Sequence, residues 1–214
     1  HDLRLPAGDV LFHCGDVLFE GAACGHDLDV PADLQEVLKV FHRPEYQAYR
    51  WIFLIGGNHD RSLHQLWAQN PKGLSQALPP NLVLLQSPAE LKPAPQGSCL
   101  AKEAKVCQAA EDGAVKILPN LELCRPSDPR AGLVVVGSGV SVANNAWSPN
   151  SGFQLIKGTD SLTKAAEALK KHSPDIILTH GPPKGHCDGN RGDAALAEAV
   201  ASCESAKVHL FGHV

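Results

Sequence analysis

Short apolar runs that close on glycine, separated by amphipathic stretches, set the rhythm of this chain. Val10–Phe12 runs into His13-Cys14-Gly15-Asp16, and Trp51–Ile55 closes on Gly56-Gly57. Leu82–Leu85 and Leu133–Val136 have the same character, the second ending in Gly137-Ser138-Gly139. Ile176–Leu178 delivers Thr179-His180, and Val208–Phe211 delivers Gly212-His213. Continuous apolar runs of this length, bounded by glycine, predict strands buried on both faces.

Helical spacing lies between them. Over Pro31–Phe41, Leu34, Val37, Leu38 and Phe41 fall at i, i+3, i+4 and i+7. Pro31 sits in the first turn, where its missing N–H costs nothing. Ser161–His172 predicts a second helix, with Asp160 as N-cap, a stripe of Leu162, Ala165, Ala166 and Leu169, and Pro174 as its stop. Asp193 caps a third, with Leu196, Val200 and Cys203 facing inward. The stretch Ser87–Arg130 is rich in Pro, Ala and Lys and reads as an insertion or long surface excursion. Within it Ala114–Leu118 and Leu121–Cys124 can pair as a hairpin across Pro119-Asn120. Strands alternating with helices predict one α/β layered domain over residues 1–214.

Composition narrows the partners. The 214 residues carry a formal charge of −4 and show no run of Lys or Arg. That excludes a bulk electrostatic grip on nucleic acid, so an anionic substrate must be held by local charge such as metal ions. No apolar stretch reaches the roughly 18 residues that span a membrane. The seven cysteines are odd in number and show no CxxC, so free thiols in a reducing, cytoplasmic compartment are expected. The chain begins with His1 and contains no Met, and is expected to be a longer product truncated at both ends.

Each glycine-rich strand end presents a side chain that can hold a metal: Asp16, Asn58, His180 and His213. Open α/β sheets bind ligands at their carboxyl strand ends. A set of O and N donors suits a hard or borderline divalent ion. Two such ions can clamp a phosphate and acidify a water between them. A carboxylate is the natural bridge, neutral Asn and His keep the site net positive, and a nearby His can protonate a leaving alkoxide.

The ordered set Gly15-Asp16, Gly57-Asn58-His59-Asp60, His180 and Gly212-His213 resembles the calcineurin-like metallophosphoesterases. Leu5–Asp16, Thr179-His180-Gly181-Pro182-Pro183 and Asp188…Arg191-Gly192 resemble the small branch of metallophosphoesterase-domain brain proteins. The resemblance implies an α/β fold, a layered β-sandwich flanked by helices. It implies two divalent ions (manganese, iron, zinc or magnesium), with Asp16 bridging them and Asn58, His180 and His213 completing one shell. The other shell would need a D-x-H pair before His1 and a His after Val214. His59 would be the general acid and Asp60 would orient its imidazole. The implied activity is hydrolysis of a small phosphoester, nucleotides included, by in-line attack of metal-bound hydroxide, with diesters ahead of monoesters. The alternative is a weakly catalytic or inactive scaffold with the same fold.

Other residues are read more plainly. His13 is expected to pack beside the site and Cys14 in the core. Arg191 can bind a phosphate oxygen or pair with Asp188 or Asp193. Asn144, Asn145 and Trp147 are candidates to line the cleft.

Overall fold

A computed structural model describes residues 4–18, 30–86, 113–142, 151–155 and 167–213. Each glycine-closed run is a strand. β1 (Val10–His13), β2 (Trp51–Leu54) and β3 (Leu82–Leu84) form a parallel three-stranded sheet in that order. β4 (Ala114–Ile117), β5 (Leu123–Cys124) and β6 (Leu133–Ser138) belong to a second sheet, with β7 (Ser141–Val142) and β8 (Gln154–Leu155) paired separately. β9 (Ile176–Thr179) and β10 (Val208–Phe211) complete the second sheet, whose order is β10-β9-β6-β4-β5. Its first three strands run parallel, while β4 is antiparallel to both β6 and β5.

The double-sided apolarity follows from the layering. Phe53, Ile55, Val83 and Leu85 of the first sheet meet Val115, Ile117, Val135 and Leu178 of the second. A side chain at Gly137 would strike Leu85 and Ile55, so this glycine lets the sheets approach. The opposite face of the first sheet, Ile52, Leu54, Leu82 and Leu84, packs on helices. Leu34, Leu38 and Phe41 come from α1 (Ala32–Phe41), which is followed by the single turn α2 (Pro44–Gln47). Leu63 and Leu66 come from α3 (Arg61–Gln69), and Leu74 from α4 (Pro71–Ala77). The outer face of the second sheet, Ala114, Val134, Val136 and Ile177, packs on Leu169 and on Leu196 of α5 (Ala194–Ala201). The result is the expected sandwich of two sheets flanked by helices. Each large apolar side chain buried this way contributes about 1.5–3 kcal/mol.

The structure departs from expectation in two places. The expected surface excursion is sheet in its second half: Ala114 and Val115 are fully buried in β4. The hairpin it forms with β5 is tied to the first sheet by Trp51 Nε1, which donates to Leu121 O at 2.6 Å. Lys116 interrupts the apolar pattern because its ammonium leaves the core to meet the Asp128 carbonyl. Residues 87–112 lie outside the described residues. Helices α3 and α4 were not anticipated, although Leu63, Leu66 and Trp67 carry helical spacing and Asn70-Pro71 forms a cap followed by proline at N1. Of the helix expected over Ser161–His172, the start lies outside the described residues, and Leu169 near its end is buried as expected. No helix among the described residues is long and apolar enough to cross a membrane.

β10 brings a pH sensitivity with it. His209 Nε2 donates to Thr179 Oγ1 at 2.8 Å, and that hydroxyl donates to Gly181 O at 2.8 Å. Burial first, and then the nearby His186, lower the His209 pKa to about 4. A histidine lowered in the folded state takes up its proton more readily once unfolded. Its contribution to stability is therefore complete above the ordinary imidazole value of 6.5 and is lost as pH falls toward about 4. His209→Gln is expected to be less acid-sensitive over that window. Urea midpoints at stepped pH check this, and parallel wild-type and variant curves would contradict it.

Candidate functional site

The four strand ends meet at one seam of the sandwich. Asp16 follows β1 and Asn58 follows β2, both from the first sheet, while His180 follows β9 and His213 follows β10 of the second. Glycine makes the convergence possible. A Cβ on Gly57 would collide with the Asp16 carboxylate, and one on Gly15 would strike Gly56 O and His180 Nδ1. Asp16 and His213 themselves adopt the left-handed backbone, with φ of 57° and 59°. Non-glycine residues held there carry local strain, which clusters at functional sites.

His180 lies at the centre with 1% of its surface exposed. Its Nδ1 is 2.7 Å from Cys14 O, and a carbonyl can only accept, so Nδ1 carries a proton. Its Nε2 faces Asn58 Oδ1 at 3.0 Å and Asp16 Oδ2 at 3.4 Å. Burial lowers the His180 pKa, but its contacts with the Asp16 carboxylate outweigh this and the net shift is upward. Burial alone would raise Asp16, but His180 and His59 hold it below the usual carboxylate value. The His213 ring lies edge-on to His180 with centroids 4.9 Å apart. Its Nε2 is buried without a hydrogen-bond partner among the described residues.

This donor set fits a divalent cation. One ligand atom each from Asp16, His180 and His213 lies within 4.8 Å of the others. Ligands on a single ion with bonds of about 2.1 Å stand about 3–4 Å apart, so a small side-chain adjustment closes the shell. A neutral His180 turns the Nε2 lone pair toward two oxygen acceptors, a convergence that a cation satisfies. Histidine ligands are commonly oriented by an Nδ1–H bond to a backbone carbonyl, which Cys14 O supplies here. The orphaned His213 Nε2 supplies one further donor atom.

His59 is half-buried at the rim, and its N–H donates to Asp16 Oδ1 at 3.0 Å. The contacts of Asp60 give it a bracing role. Its carboxylate is fully buried and accepts backbone N–H bonds from Asp16, Leu18 and Gly57, each at 2.8 Å. Both oxygens thus fasten the Asp16 loop to the Asn58 loop. Burial raises the Asp60 pKa to about 6, with the three N–H donors pulling the other way. His13 packs edge-on against Phe41 with centroids 6.3 Å apart, and burial pushes the Cys14 thiol up to about 11. Both are packing residues, as expected. The four described cysteines, Cys14, Cys124, Cys187 and Cys203, are free. Asn144, Asn145 and Trp147 lie outside the described residues.

Sequence reading missed Gly152 and Phe153. Gly152 N–H donates to Asn58 O at 2.9 Å, and Ser141 N–H donates to Phe153 O at 3.1 Å. The Phe153 ring is fully buried over Gly56, where any side chain would collide with it. His64 Nδ1 accepts the Phe153 N–H at 3.2 Å, and its ring lies tilted against the Phe153 ring with centroids 4.8 Å apart. The segment latches the Asn58 loop from behind. A glycine-phenylalanine pair in a loop carries no periodic signal that would have marked it.

Two sheets joined by a carboxylate, an amide and two imidazoles at their strand ends define a class: sandwich proteins with a candidate metal centre at the sheet seam. The chain belongs to the calcineurin-like phosphoesterase family, whose family model matches residues 2–214. It is 27% identical over 219 residues to a UPF0046 protein of Caenorhabditis elegans, covering 99% of this chain and 47% of that protein. It is 24% identical over 221 residues to metallophosphoesterase domain-containing protein 1 of Homo sapiens, covering 99% and 56%. A probable rhamnogalacturonate lyase C of Emericella nidulans is 25% identical over 215 residues, covering 99% of this chain and 16% of that protein. The chain thus spans about half the length of the first and second of these relatives. No solved structure matches it significantly.

Proposed function

We propose that this domain is a metal-dependent phosphodiesterase acting on a small diester, nucleotide diesters included. The observation that carries the reading is the convergence of Asp16 Oδ2, Asn58 Oδ1 and His180 Nε2 beside the orphaned His213 Nε2. These four residues would hold one divalent ion. Asp16 Oδ2 faces that group, while Oδ1, bonded to the His59 N–H, retains a lone pair for a second ion. When bound, such ions supply Lewis acidity to the phosphate and a more acidic water.

The chain's own residues do the rest. Asp60 and Gly152 fix the loops, so Asp16 and Asn58 arrive already placed. Three of the four donors are neutral, which leaves the loaded site positive and attractive to phosphate. His59, half-buried beside Asn58, would give a proton to the departing ester oxygen. A diester has no acidic proton of its own for that oxygen, whereas a monoester has, so an external donor matters most on a diester. Manganese is the proposed first ion to try, since mixed O and N ligands accept it readily.

The test is hydrolysis of bis-p-nitrophenyl phosphate beside p-nitrophenyl phosphate, with manganese and then with a chelator. Turnover of the diester that the chelator removes is the expected result. His59→Gln should bind manganese as the wild type does, yet lose about 10²–10⁴-fold on alkyl diesters and far less on nitrophenyl esters. Equal losses on both would remove His59 as the proton donor. A metal-loaded domain inert toward both ester classes would leave the scaffold reading.

A further inference from the structure

The loop between β9 and α5 carries a charge that the fold leaves unanswered. It starts at Gly181, next to His180. Its base is closed by a parallel bridge between Pro183 and Asp193. Lys184 N–H donates to Asp193 O at 2.9 Å, and Asp193 N–H donates to Pro182 O at 3.1 Å. Inside the loop, the Asp188 carboxylate accepts the N–H of Gly185 at 3.0 Å and of Asn190 at 3.3 Å. The Asp188 carbonyl accepts the N–H of Arg191 at 2.8 Å. Gly192 is packed so closely on Lys184 and Asp188 that a side chain there would collide with both. The loop is a braced platform.

Arg191 is its exception. Two acids could neutralise it, but both are engaged elsewhere. Asp188 holds the loop backbone, and Asp193 Oδ1 caps α5 by accepting the Leu196 N–H at 2.8 Å. The exposed Arg191 guanidinium forms no ion pair or hydrogen bond among the described residues. It nevertheless belongs to the loop that leaves the candidate metal centre at His180. Arg191 lies two residues, at most about 7 Å of chain, from the bridge that pins Asp193 beside Pro183.

An unpaired cation beside a site built for divalent cations is repulsive until an anion lies between them. A guanidinium fork matches two oxygens of a phosphate bidentately. The net charge of −4 provides no general attraction for such an anion.

We propose that Arg191 is the phosphate-binding residue of this site, its guanidinium gripping two oxygens of the substrate's phosphate from the side opposite the metal-holding residues. This rests on the phosphoesterase reading and adds a recognition element that the strand-end motifs do not contain.

The test is calorimetric titration of inorganic phosphate into the manganese-loaded chain, with manganese affinity measured separately. Arg191→Gln is expected to weaken phosphate binding about 10–100-fold, the range for losing charge-assisted hydrogen bonds. Arg191→Lys should recover only part of this, because it keeps the charge and loses the fork. Lys184→Gln, which removes an equal charge from the same loop, should change phosphate affinity less than about twofold because it is screened by solvent. Manganese affinity should be the same in all three variants. Unchanged phosphate affinity in Arg191→Gln overturns the proposal and leaves the phosphoesterase reading standing. So does a Lys184→Gln loss equal to that of Arg191→Gln, which would mean bulk charge alone. A wild-type chain that binds no phosphate, with or without manganese, overturns both.

Discussion

His180→Ala is expected to abolish metal-dependent turnover and to weaken metal binding by more than about 100-fold, beyond the 10–100-fold typical of losing a group that merely supports a ligand. The ring is central: one nitrogen is fixed by Cys14 O and the other faces both Asn58 and Asp16. Its removal also strands the Cys14 carbonyl in a buried setting, at a cost of about 1–3 kcal/mol. The fold survives that, because the inter-sheet core of Phe53, Ile55, Val135 and Leu178 is untouched. Metal titration by calorimetry, with circular dichroism to confirm folding, is the check. Metal affinity close to wild type would remove His180 from the centre of the site.

The second large effect is structural. Asp60→Ala leaves the N–H groups of Asp16, Leu18 and Gly57 without their common acceptor. Unsatisfied buried donors cost about 1–3 kcal/mol each, and partial relaxation should leave a net loss near 3 kcal/mol. Relief of a buried charge offsets part of this, since burial already raises the Asp60 pKa to about 6. Asp60→Asn keeps one acceptor oxygen but points an amide at backbone donors, and falls between. Urea midpoints and metal affinity should decline together across the two variants. A full-stability variant that fails only on poor leaving groups would favour the orienting role for Asp60 and contradict the bracing one.

Why some of this could be read from sequence and some could not is physical. Strands β1, β2, β6, β9 and β10 stood out because sandwich strands are apolar on both faces, and their glycines marked where ligands gather. Asp16, Asn58, His180 and His213 followed from that placement. The bracing bonds of Asp60 were hidden because a carboxylate's distant backbone partners leave no mark on its local sequence. Helices α3 and α4 were overlooked because Asn-His-Asp reads as a loop, and Gly73 with Pro71 breaks the pattern. The 114–124 hairpin was legible but its burial was not, because Pro and Lys around it suggest surface, whereas Ala114, Val115, Ile117 and Leu118 are all buried. The Phe153 latch exists only in three dimensions.

The division of the four donors between the sheets has a thermodynamic consequence. Asp16 and Asn58 hang from one sheet, His180 and His213 from the other, and between the sheets lies mainly apolar contact, which has no fixed register of its own. An ion bound by all four would act as a rivet through both plates. At a free concentration 100 times its dissociation constant, a ligand of the native state adds about 2.7 kcal/mol. The melting temperature of this domain would then report its metal occupancy, and starvation for the ion would first let the plates shear at the active edge, while the helices on the outer faces held.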